Sequence, residues 1–199
     1  MSGAPRSAQS WPSVAVTTFY KRDLITRHTG RVVRSGIEGV VAEQGGRSLI
    51  VLDFRSVRII DFSCADEVVA KLVLGAVEHG DDGKERFFLF RGMEEHHLDT
   101  ISFALQRRDL AATAQRSSGE PVLIGTADDA ERRAWETVCD HRRCDSARVA
   151  SALGIAEPRA RPVLNGLHGR RLLWRRGDEY VSLLEAFAVG GAGADGAGA

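Results

Sequence analysis

Residues 49–72, LIVLDFRSVRIIDFSCADEVVAKL, constrain the fold more than any other stretch of the chain. Leu49-Ile50-Val51-Leu52 is an unbroken apolar run and reads as a buried strand. A short mixed-charge patch, residues 53–58, follows, and then a second apolar pair, Ile59-Ile60. The chain turns polar at Asp61 and Ser63 and enters a helix with Val68, Val69, Leu72 and Val73 on one face. A serine at a strand-to-helix junction, with acids on both sides, is a place where an added phosphate would change a surface.

The rest of the chain extends this pattern. Residues 14–19, VAVTTF, read as a first strand. Leu24, Ile25, His28, Val32, Ile37, Val40 and Val41 recur at helical spacing over residues 22–43, interrupted by Gly30 and Gly36 and closed by Gln44-Gly45-Gly46. After the strand at 49–53, a helix is predicted over 64–78, a turn at 79–83, a strand over 86–90 and a long amphipathic segment over 93–114. The last of these carries Leu98, Ile101, Leu105 and Leu110 on its apolar side. Residues 121–125 form a short fourth strand. The order β-α-β-α-β-α-β predicts an α/β sheet with crossover helices over residues 13–126.

A second unit is expected over 131–185. Helices are predicted at 132–140, 146–153 and 158–167, the third opened by Pro158. A hairpin follows, residues 171–174 against 180–183. Three short helices and a hairpin resemble a winged helix-turn-helix. Residues 1–12 and the Gly/Ala-rich 188–199 are expected to be disordered.

The 49–72 segment resembles the STAS domain of bacterial anti-sigma factor antagonists. In that family a strand, an Asp-rich turn and a helix carry Asp-Ser-Ser-Gly, with the second serine phosphorylated. The matching residues are Asp61-Phe62-Ser63-Cys64, which puts the acceptor on Ser63; Phe62 stands in place of the first serine and Cys64 in place of the glycine. The match is closer to a STAS-like branch reading Ser-x-Ala-Asp-Glu, here Ser63-Cys64-Ala65-Asp66-Glu67. The resemblance covers about the first two thirds of the chain. It implies a small mixed sheet flanked by helices and a non-enzymatic bacterial signalling protein. The implied partner is an anti-sigma factor or a serine kinase, bound around Asp61, Cys64, Asp66 and Glu67. Ser63 has a second reading that needs no partner: a helix N-cap, with Asp66 where a capping-box acid would sit. One cap can serve both roles.

Between Pro158 and Arg176 stand Arg159, Arg161, Arg170, Arg171, Arg175 and Arg176, with no Asp or Glu among them. In a winged helix the third helix enters the major groove and the wing touches phosphates. Arg159, Arg161, Arg170, Arg175 and Arg176 are therefore the residues of an alternative, DNA-binding function. A solvated arginine face, or a patch docked on the chain's own acidic groups, accounts for them equally simply.

The remaining constellations point away from catalysis. Cys139 and Cys144 flank His141, but structural zinc needs four ligands. Glu94-Glu95-His96-His97 has the i, i+3 pair Glu94/His97, which a helix-start acid cluster explains. There is no HExxH, nucleophile elbow or P-loop. No metal and no cofactor is expected. The formal net charge is zero, which gives the whole molecule no bias toward nucleic acid or membrane. The absence of an apolar run of membrane length, of an apolar core in residues 1–13 and of an even cysteine set fits a cytoplasmic protein.

Overall fold

The computed structural model describes residues 11–78 and 84–192. The first unit comprises β1 (Ser13–Thr18), β2 (Asp23–Leu24), α1 (Arg27–Glu43), β3 (Ser48–Asp53), β4 (Ile59–Ile60) and α2 (Phe62–Ala65). A π turn (Asp66–Ala70) then leads into α3 (Lys71–Glu78), β5 (Arg86–Met93), α4 (Glu95–Gln106), β6 (Ala111–Arg116) and β7 (Pro121–Gly125). α2, the π turn and α3 run on as one helix. The second unit comprises α5 (Asp129–His141), β8 (Arg143–Cys144), α6 (Ser146–Leu153), α7 (Glu157–Gly169), β9 (Leu173–Arg176), β10 (Glu179–Ser182) and α8 (Leu183–Ala192).

The main sheet has the order β1-β3-β5-β6-β7. The first four strands are parallel and β7 returns antiparallel to β6. It is thus a mixed five-stranded sheet flanked by helices. α1, the α2–α3 helix and α4 all cover one face, where Ile50, Leu52, Phe88 and Phe90 meet Val33, Val68, Val69 and Ile101. The alternate residues Leu49, Val51, Phe87 and Leu89 point to the other face, where Trp174, Val181, Leu183 and Ala186 cover them. Both faces are therefore buried, which is why the strand at residues 49–52 has no polar alternation. Ala111 and Leu123 at the β6–β7 end join the core of the second unit, beside Trp135, Leu164 and Leu172. The second unit is a helical cluster, α5, α6 and α7, with an antiparallel sheet in the order β8-β10-β9.

Several sequence expectations are corrected. The amphipathic segment at 93–114 is a helix only as far as Gln106, and its last part is β6, an inner strand of the sheet. Ala111-Ala112-Thr113-Ala114 is too small and too uniform to announce a strand, yet its smallness lets α4 and Trp135 close on opposite faces. α1 begins at Arg27, because Leu24 is fully buried in β2. β8 was not expected. α8 runs through Ala192, where a disordered tail from 188 is predicted, and Phe187 packs onto the back-face core. Trp11, expected to be disordered, packs against the same core. Residues 1–10, the turn at 79–83 and the tail at 193–199 lie outside the described residues. Among those described, no helix is long and apolar enough to cross a membrane.

Candidate functional site

The site forms where two loops leave the carboxyl ends of β1 and β3. β2 and β4 pair in parallel, Asp23 with Ile59 and Leu24 with Ile60. That register, with the Asp61 N–H donating to the Leu24 carbonyl at 3.0 Å, sets Thr26 beside Asp61 and brings the starts of α1 and α2 together.

Asp61, not Ser63, caps α2. Its Oδ1 accepts from the Cys64 N–H at 2.7 Å and from the Ser63 hydroxyl at 2.9 Å, and its Oδ2 accepts from the Thr26 N–H at 3.1 Å. The helix starts two residues earlier than the serine reading requires, so Ser63 lies in the first turn and Asp66 serves no capping box. Burial alone would raise the Asp61 carboxyl; the bonds from Cys64, Thr26 and Ser63 outweigh it and hold the group below its ordinary range. Thr26 has φ 73°, a conformation rare for a β-branched residue, and it caps α1 by accepting from the Thr29 N–H. The Cys64 thiol donates to the Thr26 carbonyl at 3.0 Å. Strain at Thr26 is thus held from three sides by Asp61, Cys64 and its own helix.

Below this node lie two buried acids. Asp66 bonds Arg108 Nε at 2.7 Å and Arg27 at 3.3 Å. Glu67, whose side chain is 1% exposed, meets Lys71 at 2.8 Å, Arg34 at 3.2 Å, Arg27 at 3.4 Å and Arg31 at 3.9 Å. Arg108 holds the Asp66 carboxyl below its ordinary range; for Glu67, burial pushes upward but Lys71 and Arg34 win, and it too stays low. Gly30 makes this junction possible, since a Cβ there would stand 2.9 Å from Glu67 Cβ and 3.3 Å from Cys64 Cα.

The structure thus brings Asp61, Ser63, Cys64, Asp66 and Glu67 together but withdraws three of them from the surface. Cys64, Asp66 and Glu67 are buried, so a docking protein would not touch them. Burial, and then the Asp61 charge, push the Cys64 thiol up to about 11, far from a reactive thiolate. Ser63 is half-buried. Its accessible neighbours are ones the sequence reading missed. Phe62 lies against Phe103, ring centroids 5.4 Å apart, with Arg107 over the Phe62 ring at 5.7 Å; Phe103 is 54% exposed. The signal was present: Phe103 sits on the far side of α4 from Leu98, Ile101 and Leu105.

The Glu94/His97 pair is a capping box. The buried His97 Nδ1 accepts from the Glu94 N–H at 3.2 Å, and burial followed by the neighbouring His96 lowers its pKa. Of the cysteines of the second unit, Cys144 is buried and Cys139 half-buried, and burial pushes both thiols upward. Among the described residues, no group of three or more His, Cys, Asp and Glu could hold a metal ion.

Three of the six arginines of 159–176 pair with acids among the described residues. Arg161 bonds Glu157 at 3.0 Å, and Arg170 bonds Glu131 at 2.6 Å and the Thr126 carbonyl. Arg171 reaches Glu85 and the Ala76 carbonyl. Arg175 lies over Tyr180 and Arg176 over Trp11. Arg159 is exposed at the start of α7, and Pro162 stands in that helix beyond its first turn. The β9–β10 hairpin turns Trp174 and Val181 into the back face of the main sheet. No protein-family model matches the chain, and no curated protein matches it in sequence.

Proposed function

We propose that this chain is a non-enzymatic bacterial signalling protein of the cytoplasm, similar to anti-sigma factor antagonists. Its STAS-like first unit binds an anti-sigma factor or a serine kinase, with Ser63 as the switch. The observation that carries this reading is the position of Ser63: a half-buried hydroxyl in the first turn of α2, bonded to the cap Asp61 and next in the chain to Phe62, whose ring lies against the exposed Phe103. A phosphate there adds roughly two negative charges. The helix N-terminus favours it, while the Asp61 carboxylate opposes it. Phosphorylation therefore replaces a donor to the cap with a charge that repels it, and alters both the Phe62–Phe103 surface and the Asp61–Thr26 tie. The Asp61 carboxylate that accepts the Ser63 hydroxyl is held below its ordinary range, which makes it a weak base for activating a nucleophile.

The test compares wild type, Ser63→Ala, Ser63→Asp and Phe103→Ala in capture experiments from the native host, read by mass spectrometry. A kinase or anti-sigma protein held by wild type and Ser63→Ala, and lost with Ser63→Asp and Phe103→Ala, supports the reading. The same protein held equally by all four forms overturns it.

The DNA-binding alternative rests on the order α5-β8-α6-α7-β9-β10, which resembles that of a winged helix, and on Arg159 and Arg161 at the exposed start of α7. The inward-facing hairpin favours a docking role over groove recognition. Duplex binding that steepens at low salt and is lost with Arg159→Ala/Arg161→Ala would reverse that preference.

A further inference from the structure

We infer that the β1 edge of the sheet is a homodimer interface, at which two copies of this chain pair β1 against β1 about a two-fold axis. This inference is independent of the Ser63 reading.

An unpaired sheet edge offers its N–H and C=O groups to any other strand, and proteins blunt such edges with charges, proline, bulges or a covering element. β1 pairs only with β3 among the described residues. Its sequence, Ser13-Val14-Ala15-Val16-Thr17-Thr18, has no charge, proline or bulge to discourage pairing.

Exposed apolar residues gather at this edge. Seven large apolar side chains are exposed among the described residues, and four of them are here: Val16 at 54%, Tyr20 at 66%, Val32 at 49% and Val189 at 38%. They occupy all three layers of the molecule. Val32 is on α1 in front, Val16 is on the edge itself, and Val189 is on α8 behind, one residue before Gly190, which lies against Val14. Between β1 and α1 runs a groove of about 170 Å³ lined by Thr17, Phe19, Tyr20, Val33, Gly36 and Ile37.

The helix α1 divides its polar residues accordingly. At about 100° per residue, Arg27, Arg31, Arg34 and Glu38 fall on the flank facing Glu67, where three of them are paired with it. The flank facing the β1 edge carries Thr29, Val32, Gly36, Val40 and, at the end of the helix, the exposed Glu43, and a Cβ added at Gly36 would meet nothing within 4 Å. That flank has room for another helix to approach closely.

The thickness of the apolar strip selects the occupant. A single added peptide strand would cover the edge and the groove but leave Val32 and Val189 exposed, since adjacent strands lie only about 4.8 Å apart. Covering all three layers takes a partner that is itself three layers deep. A second copy is such a partner, and a two-fold axis sets the Glu43 end of one α1 flank against the opposite end of the other, so that like charges do not face each other. The strip is roughly 20 Å long, from six strand residues, and about 25 Å deep. That is about 500 Å² in projection and more in accessible surface, the scale of the roughly 800 Å² per partner in a specific interface.

The test is sedimentation equilibrium of the full chain across the micromolar range, with Val16→Lys, Val32→Lys and, as a control at a distant exposed apolar site, Phe103→Lys. Circular dichroism and thermal melts verify folding. The expected result is a dimer for wild type and Phe103→Lys, and loss of the dimer in both valine variants. Should Val16→Lys fail to fold, Val32→Lys, on an exposed helix flank, decides alone. A wild-type monomer at the highest concentration overturns the proposal, as does a dimer that survives the valine substitutions in folded protein.

Discussion

Asp61 and Ser63 stand two residues apart, and either could have capped α2. The structure assigns the cap to Asp61, and the stabilities of Asp61→Ala and Ser63→Ala test that assignment. Loss of an N-cap costs about 1 kcal/mol. Asp61→Ala also removes the acceptor for the Thr26 N–H, the bond that ties the α1 start to α2. Thr26 is exposed, so water recovers part of that bond, and its loss adds about 0.5–1 kcal/mol. Asp61→Ala should therefore cost about 2 kcal/mol. Ser63→Ala removes only a half-buried hydroxyl that donates to a carboxylate already holding two backbone N–H groups, and should cost less than about 0.5 kcal/mol. Urea denaturation at neutral pH reads both, from midpoints at unchanged m-value. Equal losses, or a larger loss for Ser63→Ala, would refute the assignment of the cap to Asp61. The structural tie and the switch would then be one group.

Glu85 predicts a pH dependence. His168 and Arg47 beside it hold its carboxyl down to about 2, against an ordinary 4.5. A depressed carboxyl contributes stability that is fully present above pH 4.5 and is lost as pH falls from there toward 2. The shift corresponds to about 3 kcal/mol at most, and to about 1–2 kcal/mol once partial solvent screening is allowed for. Glu85→Gln should accordingly be less stable than wild type at pH 7 and converge with it only as pH falls below about 2 in denaturant titrations; a constant gap at all pH values would count against it. Gly30→Ala should destabilise by about 1 kcal/mol, because crowding against Glu67 outweighs the gain in helix propensity. Gly166→Ala on the exposed face of α7, where a Cβ meets nothing within 4 Å, should stabilise by about 0.5–1 kcal/mol, both glycine variants being read by urea denaturation.

How much of this was legible depended on range along the chain. Leu49-Ile50-Val51-Leu52 and the FFLF of β5 reveal themselves because a strand buried on both faces needs an unbroken apolar run. The α2–α3 helix was legible from its 3.6-residue spacing, and α5, α6 and α7 from theirs, while α8 was not. β6 was hidden because small residues carry almost no strand signal. Its burial depends on α4, Trp135 and Leu172, which no local window contains. At the site, the junction and the serine could be read, but the cap went to a different residue. Asp66 and Glu67 read as a surface because all their counter-ions except Lys71 lie 33–42 positions away. Arg170 and Arg171 read as surplus charge for the same reason: Glu131 lies on α5 and Glu85 just before β5.

The back face of the main sheet has a consequence for how the gene can be divided. Leu49, Val51, Phe87 and Leu89 are fully buried only because Trp174, Val181, Leu183 and Ala186 arrive from the far end of the chain. A fragment ending near residue 126 would be translated with a contiguous oily plate open to water and would collect in inclusion bodies. The two units are thus not interchangeable cassettes. Recombination that moved the first elsewhere would have to carry the hairpin and the last helix along with it.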